Sequence, residues 1–474
     1  MSEGSTRRPN ILLLLTDQQR GDCLGVAGHP VLQTPHLDSL ALEGCRFDRA
    51  YSACPVCVPA RRTLMTGRTP ANQRALCNVN AGLDGPTLPE VLGRHGYQTH
   101  LVGKLHFHPP RKRYGFDSMD WADGPNYRAG AGRADDDYQR FLRRIGIDEL
   151  GHSGAHGISA NAYPARPWPG PERSHFTNWC AEMAIDFLER RDPTAPFFLK
   201  VSFLHPHQPC TPPQLYYDRY LGMDLPEPVV GDWARVFDDP PAGHPVEPWR
   251  VRLPEAQQRQ FQAAYYGSIN HIDDQIGRIL QLVPPDTWVL FCSDHGEMLG
   301  DHQWFRKRTP WEGSVHVPFI LRPPKGGHDP RGLVRSQPVE LMDVMPTLLD
   351  AAGIDVPDTV DGSSVLPLLT ANDVPWRERL HGECSEIPTL DSGMQYLTDG
   401  RRKYIWFPGL GNEQFFDLES DPRETVNRID DPDWSEAVDA FRADLIDRLR
   451  DRPEGFVDGD RLARLTGPTP HLLS

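Results

Sequence analysis

Apolar and polar positions along this chain follow two distinct patterns. Continuous apolar runs cover residues 10–16, 196–204 and 287–293, and such runs predict strands that are buried on both faces of a sheet. Between them, apolar residues recur with helical spacing over 36–43 and 261–282. Strands that alternate with helices predict an α/β fold with a large, mostly parallel central sheet flanked by helices.

Two stretches, 120–174 and 226–254, show neither pattern apart from a short helical segment near 138–147. Long irregular insertions in compact domains are usually functional, so we expect both stretches to shape a substrate pocket. Their aromatic residues can stack on a sugar or aryl ring, cage a quaternary ammonium group, or simply pack beneath a loop. These aromatic residues include Trp121, Tyr127, Tyr163 and Trp168.

The last hundred residues carry a different pattern, with shorter strand-like pieces such as 402–407 and a helix over 434–449. We therefore predict two units. A catalytic α/β domain spans 1–370, and a smaller α+β subdomain spans 371–474.

Composition narrows the class of protein. The chain has 474 residues, of which 38% are hydrophobic and 24% charged, as in globular proteins. Its formal net charge of −15 argues against a nucleic-acid partner, which needs a basic surface. The early apolar run 11–15 is far shorter than the roughly 20 residues that a membrane span needs. Nine cysteines without regular spacing favour reduced thiols and a cytoplasmic location.

Polar side chains follow two of the predicted strands directly. Asp17 and Gln18 come after the first strand, and Asp294 and His295 come after a later one. The carboxyl ends of parallel strands gather ligands, so these four side chains are candidate ligands of one divalent cation. Oxygen-rich ligation favours Ca²⁺, Mg²⁺ or Mn²⁺ over a structural zinc. The alternative is that they only cap helices and form turns.

A cysteine stands at the predicted start of a helix. Pro59 fits the first helical position and Gly67 fits a helix stop, so Cys57 would lie at the N-terminus with Arg61 one turn further on the same face. A helix N-terminus favours anions and lowers the pKa of a thiol. The alternative is an inert, buried cysteine.

Several cationic side chains form a further set of candidates. Alternate positions of an extended segment share a face, so Lys104 and His106 would point the same way. The other members of the set are His205, His207 and Lys307. The alternative for each member is a solvated surface residue.

Taken together, these clusters resemble the sulfatases of the alkaline phosphatase superfamily. The segment 57–61 reads Cys-Val-Pro-Ala-Arg and matches the family signature Cys-X-Pro-X-Arg. The resemblance spans nearly the whole chain in the family's order, through Thr34 to Asp38, Gly103-Lys104, Pro206-His207, 293–296, and 416–424 with Asn427. It implies an alkaline phosphatase-like fold and the hydrolysis of a sulfate ester to an alcohol or phenol and inorganic sulfate.

The resemblance also implies a mechanism. A separate formylglycine-generating enzyme would oxidise Cys57 to formylglycine, whose hydrated form is a geminal diol. One hydroxyl of the diol would attack sulfur and form a covalent sulfate ester. Loss of a proton from the second hydroxyl would then expel sulfate.

By the same resemblance, the cation would be held by Asp17, Gln18, Cys57 in its modified form, Asp294 and His295. Ca²⁺ is the expected ion, with Mg²⁺ and Mn²⁺ as alternatives. The other expected roles are stabilisation of the diol by Arg61, contact with the sulfuryl oxygens by Lys104 and Lys307, proton abstraction by His106, contact with the leaving oxygen by His207, and a more distant role for His205.

Gln18 and His295 depart from the commonest sulfatase pattern, in which Asp and Asn stand at these positions. The Gln/His pair resembles the branch with choline sulfatases and phosphonate monoester hydrolases, so a phosphonate monoester or phosphodiester hydrolase is the alternative activity. Lys104 and His106 favour sulfate. A binding module that lacks the nucleophile is a second alternative. Sulfated carbohydrates and small aryl or alkyl sulfates remain open as substrates, and a homo-oligomer remains open as the assembly.

Overall fold

The computed structural model describes residues 8–124, 136–147, 157–159, 161–237, 239–243, 248–326, 330–371, 373–388, 390 and 392–473. Among these, the strands are β1 Asn10–Asp17, β2 Cys45–Phe47, β3 Ala50–Tyr51, β4 Gln98–Gly103, β5 Ser118–Trp121, β6 Phe197–Pro206, β7 Thr287–Ser293, β8 Phe319–Arg322, β9 Leu333–Arg335, β10 Val339–Glu340, β11 Leu380–Cys384, β12 Met394–Thr398, β13 Arg402–Phe407, β14 Asn412–Asp417, β15 Val457–Asp458 and β16 Arg461–Leu462.

The α-helices of the same ranges vary widely in length. They are α1 Pro35–Leu42, α2 Cys57–Thr66, α3 Leu88–Arg94, α4 Asp137–Arg144, α5 Phe176–Arg190, α6 Gln214–Leu221, α7 Glu255–Leu280, α8 Glu312–Val315, α9 Val344–Ala351, α10 Leu366–Thr370 and α11 Ser435–Leu449. No helix in the described part of the chain is both long and apolar enough to cross a membrane.

The main sheet has eight strands in the order β5-β4-β6-β1-β7-β8-β2-β9. Only β8 runs antiparallel to its neighbours, so the sheet is mostly parallel, as predicted. Strand β1 is central because its run of leucines can be buried on both sides. Leu13 and Leu15 face one apolar core, and Leu12 and Leu14 face the other.

Helices cover both faces of this sheet. Helices α2, α3, α9 and α10 contribute to the first core, and α1, α5 and α7 contribute to the second. The predicted α/β fold is therefore confirmed. This layering leaves the carboxyl ends of β1, β4, β6 and β7 together at one edge of the sheet.

Two predicted elements have different boundaries in the structure. Helix α7 begins at Glu255, six residues before the predicted start at 261. The prediction began too late because the first turns are polar and carry no apolar repeat. Strand β6 continues to Pro206, beyond the predicted end at 204, and so delivers the histidines that follow Leu204 to the edge of the sheet.

A second, antiparallel sheet of β11-β12-β13-β14 lies in the C-terminal part. Its side chains alternate between two cores. Ile405 and Phe407 pack with Trp311 of the larger unit, whereas Tyr404 and Trp406 pack against α11. This sheet and helix form the expected α+β arrangement.

Candidate active site

The loop after β1 is held in a strained conformation. Gln18 has φ of 73°, in the left-handed region that costs energy for a side chain with a Cβ. The backbone amide of Gln18 donates to Asp294 Oδ1 at 3.1 Å, and the Tyr265 hydroxyl donates to the backbone carbonyl of Gln18 at 2.7 Å. These bonds fix the ends of β1 and β7 to each other and direct Asp17 and Asp294 to the same place.

Helix α2 presents its N-terminus to that place. Cys57 is its first residue, and Gly67 ends the helix with φ of 66°. Pro59 therefore occupies the third helical position, and the prediction that it is the first was wrong. The Val58 amide, one of the free donors of the first turn, donates to Asn78 Oδ1 at 3.0 Å. All ten residues of the helix are buried.

The Cys57 sulfur lies among candidate ligands of a metal ion. Asp17, Cys57, Asp294 and His295 each bring one ligand atom within 4.8 Å of the others. His295 Nε2 lies 3.2 Å from the sulfur and 3.5 Å from an oxygen of each carboxylate. Its Nδ1 lies 3.1 Å from the Gly296 carbonyl, an acceptor that leaves the Nε2 lone pair facing the cluster.

The side chain of Gln18 is also oriented toward the cluster. Its Nε2 donates to Gln208 Oε1 at 2.7 Å and to Glu297 Oε2, and Gln208 Nε2 donates to the same Glu297 oxygen at 2.9 Å. Its Oε1 accepts from Lys307 Nζ at 2.9 Å. Because the NH₂ group of Gln18 bonds to Gln208 and Glu297, the side-chain oxygen of Gln18 is the atom that faces the cluster.

Three cations surround the same carboxylates and sulfur. Arg61 is fully buried and donates to Asp294 Oδ2 at 2.8 Å, with Nη2 at 3.3 Å from Asp17 Oδ2. Lys104 Nζ forms an ion pair with Asp17, and Lys307 Nζ lies 3.2 Å from the Cys57 sulfur. The cluster thus combines ligands for a cation with donors for an anion.

This balance of charge sets the protonation states. Burial opposes ionisation of the Cys57 thiol, but Lys104, Lys307 and the neighbouring imidazoles hold its pKa well below the ordinary value. Burial and Cys57 likewise oppose ionisation of Asp17, but Lys104 and nearby cations hold the pKa of that carboxyl below its ordinary value. The nearby cations therefore favour the anionic form of both groups.

Lys104 and His106 reach the cluster, but the geometry predicted for them was wrong. Strand β4 ends at Gly103, and His106 has φ of 61°, so the segment is not extended. Asp123 Oδ1 accepts from the amides of Leu105 and His106 at 2.7 and 2.8 Å, which fixes this turn. As a result, Lys104 contacts Asp17, and the His106 side chain lies near enough to Cys57 to help lower the pKa of its thiol.

The two histidines after Leu204 have different surroundings. His207 Nδ1 lies 2.7 Å from the Gln208 carbonyl, and the ring lies near Cys57, which contributes to its pKa. Burial and Lys307 lower the pKa of His207, so the neutral imidazole is favoured. His205 instead packs its ring 4.7 Å from that of His175.

Sequence reasoning missed several residues that hold the cluster in place. Gln208 and Glu297 orient Gln18, and the Ser202 hydroxyl accepts from Arg61 Nη1 at 2.9 Å. A signal existed for Ser202, because Lys200 and Ser202 are alternate polar positions in an otherwise apolar strand. No comparable pattern marks Gln208.

The irregular stretches reach the segment that carries Lys307. The Trp249 ring lies 4.6 Å from the Arg306 guanidinium and 5.2 Å from that of Arg308. The Tyr163 ring lies 4.5 Å from that of Phe305. Trp121 and Trp168 pack elsewhere, against Arg111 and His175, and Tyr127 lies outside the described residues.

Comparison with known families agrees with this geometry. Residues 9–354, more than half of the chain, match the family described as Sulfatase. The chain belongs to the sulfatase family. A second match, to the C-terminal region of N-sulphoglucosamine sulphohydrolase, covers 300–451.

Individual relatives support the same assignment. The chain is 40% identical to an arylsulfatase of Clostridium perfringens, over 96% of this chain and 98% of that protein. It is 30% identical to a choline-sulfatase of Rhizobium meliloti, over 90% of this chain and 84% of that one. Among solved structures, the phosphonate monoester hydrolase of Agrobacterium radiobacter matches with a TM-score of 0.77 and 27% identity, over 94% of this chain and 95% of that one. The protein is therefore a sulfatase, an enzyme of sulfate ester hydrolysis.

Proposed function

We propose that this sulfatase uses Cys57, converted to formylglycine, together with one divalent cation held by Asp17, Gln18, Asp294 and His295. The observation that carries the proposal is the position of the Cys57 sulfur. It lies at the N-terminus of α2, 3.2 Å from both Lys307 Nζ and His295 Nε2. A nucleophile at this position meets cations that can neutralise the charge of a sulfuryl group.

The donor set fits a divalent cation. Two carboxylates, an amide oxygen and an imidazole lone pair converge in one place, and the two carboxylates are the hard anionic ligands that such an ion prefers. When bound, the cation would polarise a sulfate oxygen, and the modified Cys57 would supply the attacking hydroxyl. Family resemblance favours Ca²⁺, whereas the imidazole of His295 makes Mn²⁺ the main alternative.

The protein's own cations position the charged groups. Arg61 bridges Asp17 and Asp294, so both carboxylates stay in place whether or not an ion is bound. Lys104 and Lys307 approach the nucleophile from different segments and would hold the sulfuryl oxygens of the substrate. Buried donors of this kind cost no reorganisation when charge develops.

Two histidines would handle protons. His106 lies beside Cys57, and its Nδ1 has no hydrogen-bond partner among the residues described, so His106 is the base we propose for sulfate expulsion. His207 would contact the leaving oxygen. Its buried position beside Lys307 disfavours the imidazolium, so we propose contact rather than proton donation as its main role.

Removal and return of metal tests the cation. Chelation of the mature enzyme is expected to lower kcat for an aryl sulfate by about 100-fold or more, because a metal ion supplies several kcal/mol of charge stabilisation. Addition of Ca²⁺ or Mn²⁺ singly should restore activity, and the ion that restores more identifies the preferred one. Full activity after exhaustive chelation would contradict the proposal.

A phosphonate monoester or phosphodiester hydrolase is the second candidate activity. It is favoured by the structural similarity to the phosphonate monoester hydrolase described above and by Gln18 in place of a second carboxylate. The test is the ratio of kcat/KM for matched aryl sulfate and aryl phosphonate esters. A ratio in favour of the phosphorus ester would overturn the assignment to sulfate.

The proposal also sets the protein's partners and surroundings. It requires a formylglycine-generating enzyme for Cys57, and its substrate is a sulfate ester of an aryl, alkyl or carbohydrate alcohol. The nine cysteines are all buried thiols without disulfides, which supports a reducing cytoplasm. Light scattering on the purified protein would show whether it forms a homo-oligomer.

A further inference from the structure

A second group of ligand-type side chains lies beside the catalytic cluster. Cys77, Glu386 and His471 each bring one ligand atom within 4.8 Å of the others. Cys77 Sγ lies 3.8 Å and His471 Nε2 lies 3.4 Å from Glu386 Oε2. Ligands around a tetrahedral zinc ion stand roughly 3.3–3.8 Å from one another, given Zn–S and Zn–N bonds of about 2.3 and 2.0 Å.

Three of the four positions around a tetrahedral ion are available. The group offers one sulfur, one imidazole nitrogen and one carboxylate oxygen, from Cys77, His471 and Glu386. We propose that these three residues bind a Zn²⁺ ion, with water as the fourth ligand. The ion would tie the C-terminal segment to the loop after α2.

The surroundings of these three residues favour a metal. Ser385 Oγ lies 2.8 Å from His471 Nδ1, which leaves Nε2 directed at Glu386. Arg308 donates to the other Glu386 oxygen at 3.0 Å. The Cys77 thiolate and Glu386 carry two negative charges, which Arg308 balances only in part and a divalent cation would balance further.

The protein segments that carry the ligands are already held together. The Leu76 amide donates to the His471 carbonyl at 2.8 Å, and the Thr469 hydroxyl donates to the Ser385 carbonyl at 2.6 Å. Cys77 is buried, whereas Glu386 and His471 are half-exposed. A metal can enter from the solvent side without disturbing the buried core.

The competing use of the Cys77 thiol is a disulfide with Cys384. Such a disulfide would involve neither Glu386 nor His471, whereas zinc would bind both together with Cys77.

The test is a Co²⁺ titration of reduced, metal-free Cys57→Ala protein, in which the catalytic site offers no thiolate. The proposal predicts a thiolate-to-cobalt charge-transfer band that saturates at one equivalent and that Zn²⁺ abolishes. Cys77→Ser should weaken Co²⁺ binding by about 100-fold or more, and Cys45→Ser, at a buried thiol in β2, should not.

Variants at the half-exposed ligands keep the test independent of folding. Glu386→Gln and His471→Gln should weaken Co²⁺ binding by about 10–100-fold, whereas His95→Gln, at an exposed histidine, should leave it unchanged. Absence of the charge-transfer band in the Cys57→Ala protein would overturn the proposal. So would a disulfide between Cys77 and Cys384 found by non-reducing peptide mapping of the protein as isolated. None of these outcomes depends on sulfatase turnover.

Discussion

Cys54 and Cys57 are both buried and lie three positions apart in the chain, yet their thiols have opposite electrostatic surroundings. Cys57 faces Lys104, Lys307 and the imidazole of His295, and its pKa is lowered. Cys54 faces the Cys384 thiol and has no comparable cation against it, and its pKa is raised, mainly by burial. Burial alone therefore does not determine the chemistry of a cysteine in this protein; the charge of the neighbouring groups does.

The same contrast separates the two clusters as binding sites. Around Cys57, lysine and arginine side chains prepare the site for an anionic substrate beside a hard cation. Around Cys77, a carboxylate and an imidazole lie with the single cation Arg308, which suits a softer metal ion without substrate. Four predictions, from the largest effect to the smallest, would break or sharpen this comparison.

Removal of the Cys57 sulfur should have the largest effect. Cys57→Ala is expected to lower kcat/KM for an aryl sulfate by about 10⁴-fold or more, because it deletes the nucleophile. Cys54→Ser, three residues earlier, should keep kcat within about threefold, because Cys54 touches no group of the catalytic cluster. Equal losses in steady-state assays of both variants would break the comparison.

Removal of one cation from Cys57 should have the next largest effect. Lys307→Met is expected to lower kcat for an aryl sulfate by about 10²–10³-fold, as does loss of one preorganised donor in other enzymes. Lys325→Met, at an exposed lysine, is the matched control. A rise in KM with unchanged kcat would instead assign Lys307 to substrate binding alone.

Loss of Glu386 should have a moderate effect on metal content and little effect on turnover. Glu386→Gln protein purified without chelator is expected to retain less zinc than the parent, because loss of this ligand should weaken zinc binding by about 10-fold. Its kcat should stay within about threefold, since Glu386 contacts Arg308 rather than Lys307. Unchanged zinc content by elemental analysis would contradict the role of Glu386 as a metal ligand.

A buried lysine without a carboxylate partner should have the smallest effect. Burial, reinforced by Arg61, lowers the pKa of Lys200 from its ordinary 10.5 to about 7. Between pH 7 and 10.5 the unfolded chain therefore binds more protons at this residue than the folded protein, so its contribution to stability rises with pH. Lys200→Met should raise the free energy of unfolding at pH 7 by about 2 kcal/mol, with a smaller gain at pH 9.

Lys403 is the matched contrast for that experiment. It is equally buried, but it forms ion pairs with Glu312 and Glu424, which raise its pKa despite burial. Lys403→Met should therefore lower the free energy of unfolding in the same urea titrations, because it strands two carboxylates. Destabilisation by Lys200→Met of the same size would refute the distinction between the two lysines.

The sequence was most informative where one pattern determined one element. The leucine run of β1 and the apolar run of β7 predicted buried strands, and both lie in the centre of the sheet. Helix α7 was predicted only from 261, because its first turns are polar and carry no apolar repeat. Local apolar periodicity cannot register turns held by polar contacts, such as the bonds from Gln258 and Arg259 to the carbonyls of Leu299 and Met223.

The candidate site divides in the same way. Asp17 and Asp294 could be predicted because each follows a strand of recognisable pattern, and Cys57 because a signature surrounds it. Gln208 and Glu297 could not be assigned their role, since it arises only when three segments meet around the Gln18 amide. The second ligand group was equally hidden, because Cys77, Glu386 and His471 are far apart in the chain.

The most direct test of the central claim is tandem mass spectrometry of the tryptic peptide that spans residues 50–61, taken from protein made in its native host. This peptide contains both cysteines of the comparison, Cys54 and Cys57. The account predicts an aldehyde at Cys57 and an intact thiol at Cys54. Two unmodified thiols in catalytically active protein would contradict it.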